Sequence, residues 1–306
     1  MILERISTQL ALPVSFLAKV ANTASHRYKR YELDKRTGGK REIYHPAREL
    51  KLIQRWLLRN VLAQLPVHFV ATAYQKGSTI RRNAEMHVAN NYILRVDFQN
   101  FFPSLAGSDV ERVLRVNRKA LVDVELTDWD IDFIRLIVCR FDALTIGAPT
   151  SPQLSNAIMY DFDVTWLETA ETMGVSYTRY ADDLYFSTNR TNVLMGILHG
   201  LENYLTVHPA PALKINKRKT AFSSRKYRRL AAGLVLTSDR KISIGRPRKR
   251  MLKSLVEKLK HNKLEPEELS NLRGWIAYMR SVEPGFVLSL QEKHGLDFSA
   301  DATWKV

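Results

Sequence analysis

Three aspartates are the residues of this chain best suited to do chemistry. Asp182 and Asp183 are adjacent in Tyr180-Ala181-Asp182-Asp183, between strand-like runs at 175–180 and 184–187. So short a gap between two such runs requires a tight hairpin turn. Neighbouring carboxylates on a turn flanked by apolar strands repel each other unless a cation holds them. Asp97 ends the apolar run 91–96, which reads as a buried strand. An aspartate at a strand end, facing an Asp-Asp hairpin, makes a ligand set for two magnesium ions, and such a site drives in-line phosphoryl transfer. Taken singly, each is also an ordinary turn acid.

Further motifs accompany the acids. Val96-Asp97-Phe98 with Phe102, then Gly147-Ala148-Pro149-Thr150-Ser151-Pro152, then Tyr180-Ala181-Asp182-Asp183 follow in that order. Order and spacing resemble the reverse transcriptases, from about residue 27 to about residue 285. The short chain, and Asn83-Ala84-Glu85-Met86-His87 upstream of Asp97, resemble the bacterial retron enzymes in particular. The resemblance implies an α+β right-hand polymerase with fingers, palm and helical thumb. It also implies an RNA-directed DNA polymerase that uses two magnesium ions and dNTPs. By the same resemblance, its template and primer would be a structured noncoding RNA, primed at an RNA 2′-hydroxyl. The product would be a branched RNA–DNA hybrid (msDNA), serving anti-phage defence with a separate effector protein. Other small bacterial reverse transcriptases, of the diversity-generating or group II intron kind, and a non-catalytic structured-RNA binding module are the alternatives.

Roles carried over by that resemblance are specific. Asp97, Asp182 and Asp183 are the catalytic metal ligands, and Phe98 lends its carbonyl to a metal or its amide to the triphosphate. Phe102 stacks under the incoming sugar and excludes a 2′-hydroxyl, although either Phe101 or Phe102 could instead pack in the core. Arg41 clamps the triphosphate with a fork suited to phosphate oxygens, helped by Lys40 and Lys35, or else is a solvated hairpin charge. Gly147 allows backbone to approach the nucleotide. Ser151 and Asn156 read as local hydrogen-bonding or capping residues. Lys219 neutralises or protonates the leaving pyrophosphate, or simply contacts a phosphate. Asn83 and His87, four apart on a helix, contact the specific RNA or form a structural hydrogen bond. Arg246, Arg248, Lys249, Arg250 and Lys253 grip the template–primer duplex. Trp275 reads as thumb core. Two departures stand out. Ile146 occupies the position where relatives usually carry a glutamine that contacts the nucleotide, and Ala231-Ala232-Gly233 stands where they carry Val-Thr-Gly.

The elements that must position these residues are legible from pattern. A helical cap at 1–22 is broken at Pro13, a hairpin at 27–44 turns around Thr37-Gly38-Gly39, and helices follow at 47–65 and 78–90, the latter capped by Ser78. Thr127 caps a helix running to Cys139, and Ser151-Pro152 opens one long helix that Gly174 closes. Another helix spans 191–205, two short strands lie within 228–244, and helices cover 246–263 and 265–281. The resulting domains are an N-terminal cap at 1–23, fingers at 24–96 and 106–145, palm at 97–105 and 146–232, and thumb at 233–306. No room remains after the thumb helices for a nuclease or maturase domain.

Composition agrees with this reading. The 306 residues are 45% hydrophobic, enough for a real core, and carry a formal charge of +16. Residues 214–263 alone hold 18 Lys and Arg against two acids, Asp239 and Glu257, which points to a polyanion partner, with a solubilising surface as the bland alternative and a membrane surface as a weaker one, since no lipidation signal accompanies it. The single cysteine, Cys139, excludes a disulfide framework and reads as a packed core thiol. No run of about 18 apolar residues spans a membrane, and no signal-peptide core begins the chain, so the expected location is cytoplasmic.

Overall fold

The computed structural model describes residues 1–34, 38–119, 121 and 126–298. Lys35, expected to help at the triphosphate, and Thr37 of the first hairpin lie outside the described residues. Pro13 separates α1 (Ile2–Leu10) from α2 (Val14–Asn22). β1 (Tyr28–Asp34) and β2 (Lys40–Pro46) pair as an antiparallel ribbon, with Gly38 and Gly39 at positive φ in the turn. α3 (Arg48–Asn60) turns Leu50, Ile53, Trp56 and Leu57 inward, the face that their spacing predicts. α4 (Ile80–Glu85) is shorter than the expected 78–90. It is capped by Thr79, whose hydroxyl accepts from the Arg82 amide, whereas Ser78 donates to the Thr72 carbonyl.

β3 (Tyr92–Asp97), α5 (Gly107–Val116) and α6 (Asp128–Val138) follow. Thr127 caps α6 reciprocally with Asp130, as the pattern predicts. The long helix expected at 151–174 is two, α7 (Ser151–Ile158) and α8 (Tyr160–Thr172), separated at Met159. β4 (Ser176–Tyr180), β5 (Asp183–Thr188), α9 (Val193–Val207) and β6 (Ala221–Ser224) complete the central part. β7 (Arg229–Ala231), β8 (Leu234–Leu236) and β9 (Ile242–Ser243) form a sheet of three strands where two were expected. α10 (Arg246–Lys260), α11 (Pro266–Val282) and a further helix, α12 (Pro284–His294), end the described chain. α12 adds Val287 and Leu290 to the same core as α10 and α11.

The central antiparallel sheet has the order β4-β5-β3-β6. Its strands alternate between two cores, as period-2 geometry requires. Leu94, Val96, Leu184 and Phe186 join the larger core, where Trp166 of α8 meets Phe186 edge-on at 5.7 Å. Ile93 and Tyr185 point the other way, into the core shared by α4, the small sheet and α10–α12. Asp97 and Asp183 are in phase with Ile93 and Tyr185, so they leave the sheet on that second face. Cys139 is buried in the larger core, which pushes its thiol up to about 12 and fits a packed, unreactive thiol. Among the described residues, no helix is long and apolar enough to cross a membrane.

Candidate active site

Register brings the three acids together. Asp97 is the direct partner of Asp183 in the β3–β5 ladder, and Tyr180 is the partner of Asp183 in β4–β5. The hairpin turn is therefore Ala181-Asp182, with Ala181 at φ 57. The Phe98 amide donates to the Asp182 carbonyl at 3.2 Å, tying the end of β3 to that turn. That bond removes the Phe98 amide as a triphosphate ligand and leaves its carbonyl role open. The Phe98 ring is core, stacked on Phe101 at 6.1 Å.

Each strand acid has a cationic neighbour. Asp97 accepts from Asn216 Nδ2 on Oδ1 at 3.0 Å and from Lys219 Nζ on Oδ2 at 2.9 Å. Arg95 Nε lies 3.2 Å from Asp183 Oδ1 but is too poorly aligned to hydrogen-bond, so this buried oxygen has no donor among the described residues. Asp183 Oδ2 accepts from the Tyr185 hydroxyl at 3.3 Å, and that hydroxyl accepts from the Ala232 amide at 3.0 Å. Burial pushes the Asp183 carboxyl up to about 6, with Arg95 opposing and Asp182 and Asp97 adding to the rise. Asp182 is raised as well, first by burial and then by Asp97, against Lys219 and Arg41.

A hard divalent cation would relieve all three conditions: an orphaned oxygen, buried carboxyls, and mutual repulsion. The donor set consists of oxygens only, which suits magnesium or manganese. The side chains are not gathered into a cage as they stand. No group of three His, Cys, Asp or Glu among the described residues is arranged to hold an ion, and Lys219 and Arg95 are paired with two of the three acids.

The residues expected to bind the nucleotide are placed as follows. Arg41 is exposed on β2, and its charge acts on both Asp182 and Tyr74. Gly147 has φ 109, and a Cβ there would lie 2.6 Å from the Tyr44 carbonyl, so only glycine fits under the fingers ribbon. The Tyr44 amide in turn donates to the Ile146 carbonyl at 2.8 Å, so Ile146 contributes backbone where a glutamine would offer its side chain. Phe101 is the aromatic that packs. Phe102 is partly buried between Phe101 at 5.5 Å and Tyr74 at 6.4 Å. Ser151 accepts from the Thr145 amide and Asn156 donates to the Ala73 carbonyl, the local bonding anticipated for both.

Asn83 and His87 do not reach solvent, contrary to the RNA contact considered for them. Both are 0% exposed. Asn83 Nδ2 donates to Thr72 Oγ1 and Thr178 Oγ1, and His87 bridges Thr178 and Ser187 at 2.7 Å on each ring nitrogen. They strap α4 to one face of β4 and β5, which is the structural alternative.

The basic thumb residues divide into two groups. Arg246, Arg250 and Lys253 are exposed on α10. Lys249 is committed to an ion pair with Glu283, and Arg248 to the Gly233 carbonyl at 3.2 Å, with its guanidinium 5.8 Å from the centre of the Trp275 ring. Lys249 is therefore a poor phosphate ligand, because burial and pairing use its charge. Trp275 packs partly buried against the second core.

Sequence reasoning missed Asn216, Arg95 and Tyr185. Arg95 and Tyr185 carried a signal: each lies two residues from a key acid and so shares its face of the sheet. Asn216 carried none, because only the fold brings its loop to β3.

The reverse transcriptase (RNA-dependent DNA polymerase) family profile matches residues 33–234. The chain is 34% identical to the retron Ec83 reverse transcriptase of Escherichia coli, over 94% of this chain and 93% of that one. It is 31% identical to the retron Ec86 enzyme of Escherichia coli, over 96% and 90%. Among solved structures, an apo telomerase from Candida tropicalis, truncated from its C-terminal domain, aligns with a TM-score of 0.48 at 14% identity, covering 68% of this chain and 52% of that one. On the family match and the two retron identities, the chain belongs to the reverse transcriptase family, among the retron reverse transcriptases, and is an RNA-directed DNA polymerase with a right-hand polymerase fold.

Proposed function

We propose that this enzyme copies a structured noncoding RNA into a short DNA by two-metal nucleotidyl transfer, with Asp97, Asp182, Asp183 and the Phe98 carbonyl as ligands for two magnesium ions. The observation that carries this reading is the register that opposes Asp97 and Asp183, with Asp182 on the turn between strands. Bound there, the cations would activate the attacking hydroxyl and steady the leaving pyrophosphate. The chain's own residues do the rest. Arg41 grips the triphosphate, and Gly147 lets backbone approach the nucleotide. Phe102 stacks under the deoxyribose, and Lys219 hands a proton to the pyrophosphate. Exposed Arg246, Arg250 and Lys253 hold phosphates of the A-form duplex.

Fingers at 24–96 and 106–145, palm at 97–105 and 146–232, and thumb from 233 onward are the lobes that this division of labour implies. By resemblance to the retron enzymes, the proposal extends to an RNA 2′-hydroxyl primer, an msDNA product, and a cytoplasmic role in anti-phage defence beside an effector protein. The test uses purified protein, its neighbouring noncoding RNA, magnesium and dNTPs. Expected is DNA joined to RNA through a debranching-sensitive 2′ linkage, abolished in Asp183→Asn. Extension only from an annealed 3′ end would reject the priming, and no extension of any primer would reject the polymerase site.

A further inference from the structure

One buried ion pair stands directly behind the catalytic turn. Arg179 of β4 and Asp163 of α8 are both 0% exposed. Arg179 Nε donates to Asp163 Oδ1 at 2.9 Å and Oδ2 at 3.1 Å, and Nη2 donates to Oδ2 at 2.6 Å. Nη1 turns the other way, to Asn156 Oδ1 at 3.1 Å and to the Ala181 carbonyl at 3.2 Å. Ala181 is the left-handed residue that opens the turn, immediately before Asp182.

The guanidinium itself is fixed from several sides. The Tyr177 hydroxyl donates to Asp163 Oδ1 at 2.8 Å, and Asn156 Nδ2 donates to the Ala73 carbonyl at 2.9 Å. The Arg179 amide donates to the Val70 carbonyl at 2.8 Å, and its carbonyl accepts from the Thr72 amide at 2.7 Å. Segment 70–72 thus seals the outer edge of β4. A buried ion pair stabilises little compared with apolar replacements of the same volume. What a planar fork of donors provides is direction, because it holds several acceptors in one fixed arrangement. Here one of those acceptors is the carbonyl of a residue in a costly backbone conformation.

We propose that Arg179, aligned by Asp163 and Asn156, is a positioning residue for the catalytic turn: its Nη1 fixes the Ala181 carbonyl and so sets the direction in which Asp182 and Asp183 leave the hairpin. It touches neither substrate nor the reacting atoms. This inference rests on the reading of Asp182 and Asp183 as cation ligands.

Two variants test it. In Arg179→Lys the ammonium still reaches Asp163, but one nitrogen cannot also serve Asn156 and Ala181. The double variant Arg179→Met/Asp163→Leu removes the charge pair at similar volume. For both, manganese binding to the free protein, followed by electron paramagnetic resonance, should weaken about tenfold, and kcat for single-nucleotide addition should fall about tenfold or more. KM for dNTP and Kd for primer–template should hold. A purely structural role would lower Tm while leaving manganese affinity and kcat per active site unchanged, and that result in either folded variant overturns the proposal. Asp183→Asn serves as the control: manganese binding that survives in this variant rejects the ligand reading itself, separately from the role of Arg179.

Discussion

Lys219 places its ammonium 2.9 Å from Asp97 Oδ2, so the chain's own cation already neutralises one of the acids proposed as cation ligands. Arriving metal must compete with that ion pair. Lys219→Gln should therefore bind manganese severalfold more tightly in the free protein, as calorimetry would measure it. The same variant should extend a primer about 10²-fold more slowly, because the proposed proton donor to pyrophosphate is gone. The two effects have opposite sign, which a general loss of folding cannot imitate. Weaker manganese binding in Lys219→Gln would show that the lysine organises Asp97 rather than competing for it.

Phe102 is the aromatic left available when Phe101 goes into the core. Phe98 and Phe101 stack with an interplanar angle of 12°, whereas Phe102 stands edge-on to Phe101, between it and Tyr74. Phe102→Ala should admit ribonucleotides, lowering the dNTP/rNTP ratio of kcat/KM by about tenfold or more, since its proposed role is steric exclusion of one hydroxyl. Phe101→Ala should instead lower Tm, by a cavity cost of about 3–5 kcal/mol, with sugar selectivity unchanged. Competition between dGTP and GTP on a defined template reads both, and unchanged selectivity in Phe102→Ala would remove its role.

These two phenylalanines show what could be read ahead of the fold. Strand, turn and strand around Ala181 were legible because two strand-like runs only three residues apart leave room for a tight hairpin alone. That Asp97 faces the Asp182-Asp183 hairpin was legible from motif order and family resemblance, whereas its ladder pairing with Asp183 was not. Which of Phe101 and Phe102 packs was not legible, since a short helical turn decides it. The break at Met159 was hidden because neither proline nor glycine marks it. Asn216 reaches Asp97 across 119 residues of sequence, and no local pattern encodes such a contact. His87 looked like a possible RNA ligand because it is polar and near the motif. Only the packing of α4 on β4 and β5 shows that its nitrogens are already used.

The thumb offers a comparison between charges of one helix. Arg246 and Arg250 are exposed, while Lys249 is paired with Glu283. Replacing Arg246 or Arg250 by alanine should weaken duplex binding and reduce the salt slope of log K by about 1 each. Lys249→Ala should leave the slope alone and lower Tm, because it strands Glu283 without its partner. Fluorescence anisotropy of an RNA–DNA hybrid across a salt series separates these outcomes. A reduced slope in Lys249→Ala would place that ammonium on a phosphate.

Stability against pH should report two buried groups that act in opposite directions. Burial lowers His87 to about 3 from its ordinary 6.5. Unfolded chains therefore take up a proton that the folded protein refuses, so this contribution is complete above about 6.5 and is lost as pH falls toward 3. Asp183 is raised to about 6 from 3.8, so between those values the folded protein holds the extra proton. Its contribution is present below about 4 and disappears as pH rises through 6, when the buried carboxyl must ionise without a cation. In EDTA the two slopes oppose each other between about 4 and 6, and the stability profile there should be shallow. Asp183→Asn removes the opposing term. The variant should gain on the order of 2 kcal/mol over cation-free wild type at pH 8, and its profile should rise more steeply from pH 4 to 6.5. Manganese should raise the Tm of wild type at pH 8 and leave the variant nearly unmoved. Thermal unfolding from pH 4 to 8, with EDTA and with manganese, makes the comparison. A variant less stable than cation-free wild type at pH 8 would mean that Arg95 already compensates the Asp183 charge and that the site gains nothing from neutralising it.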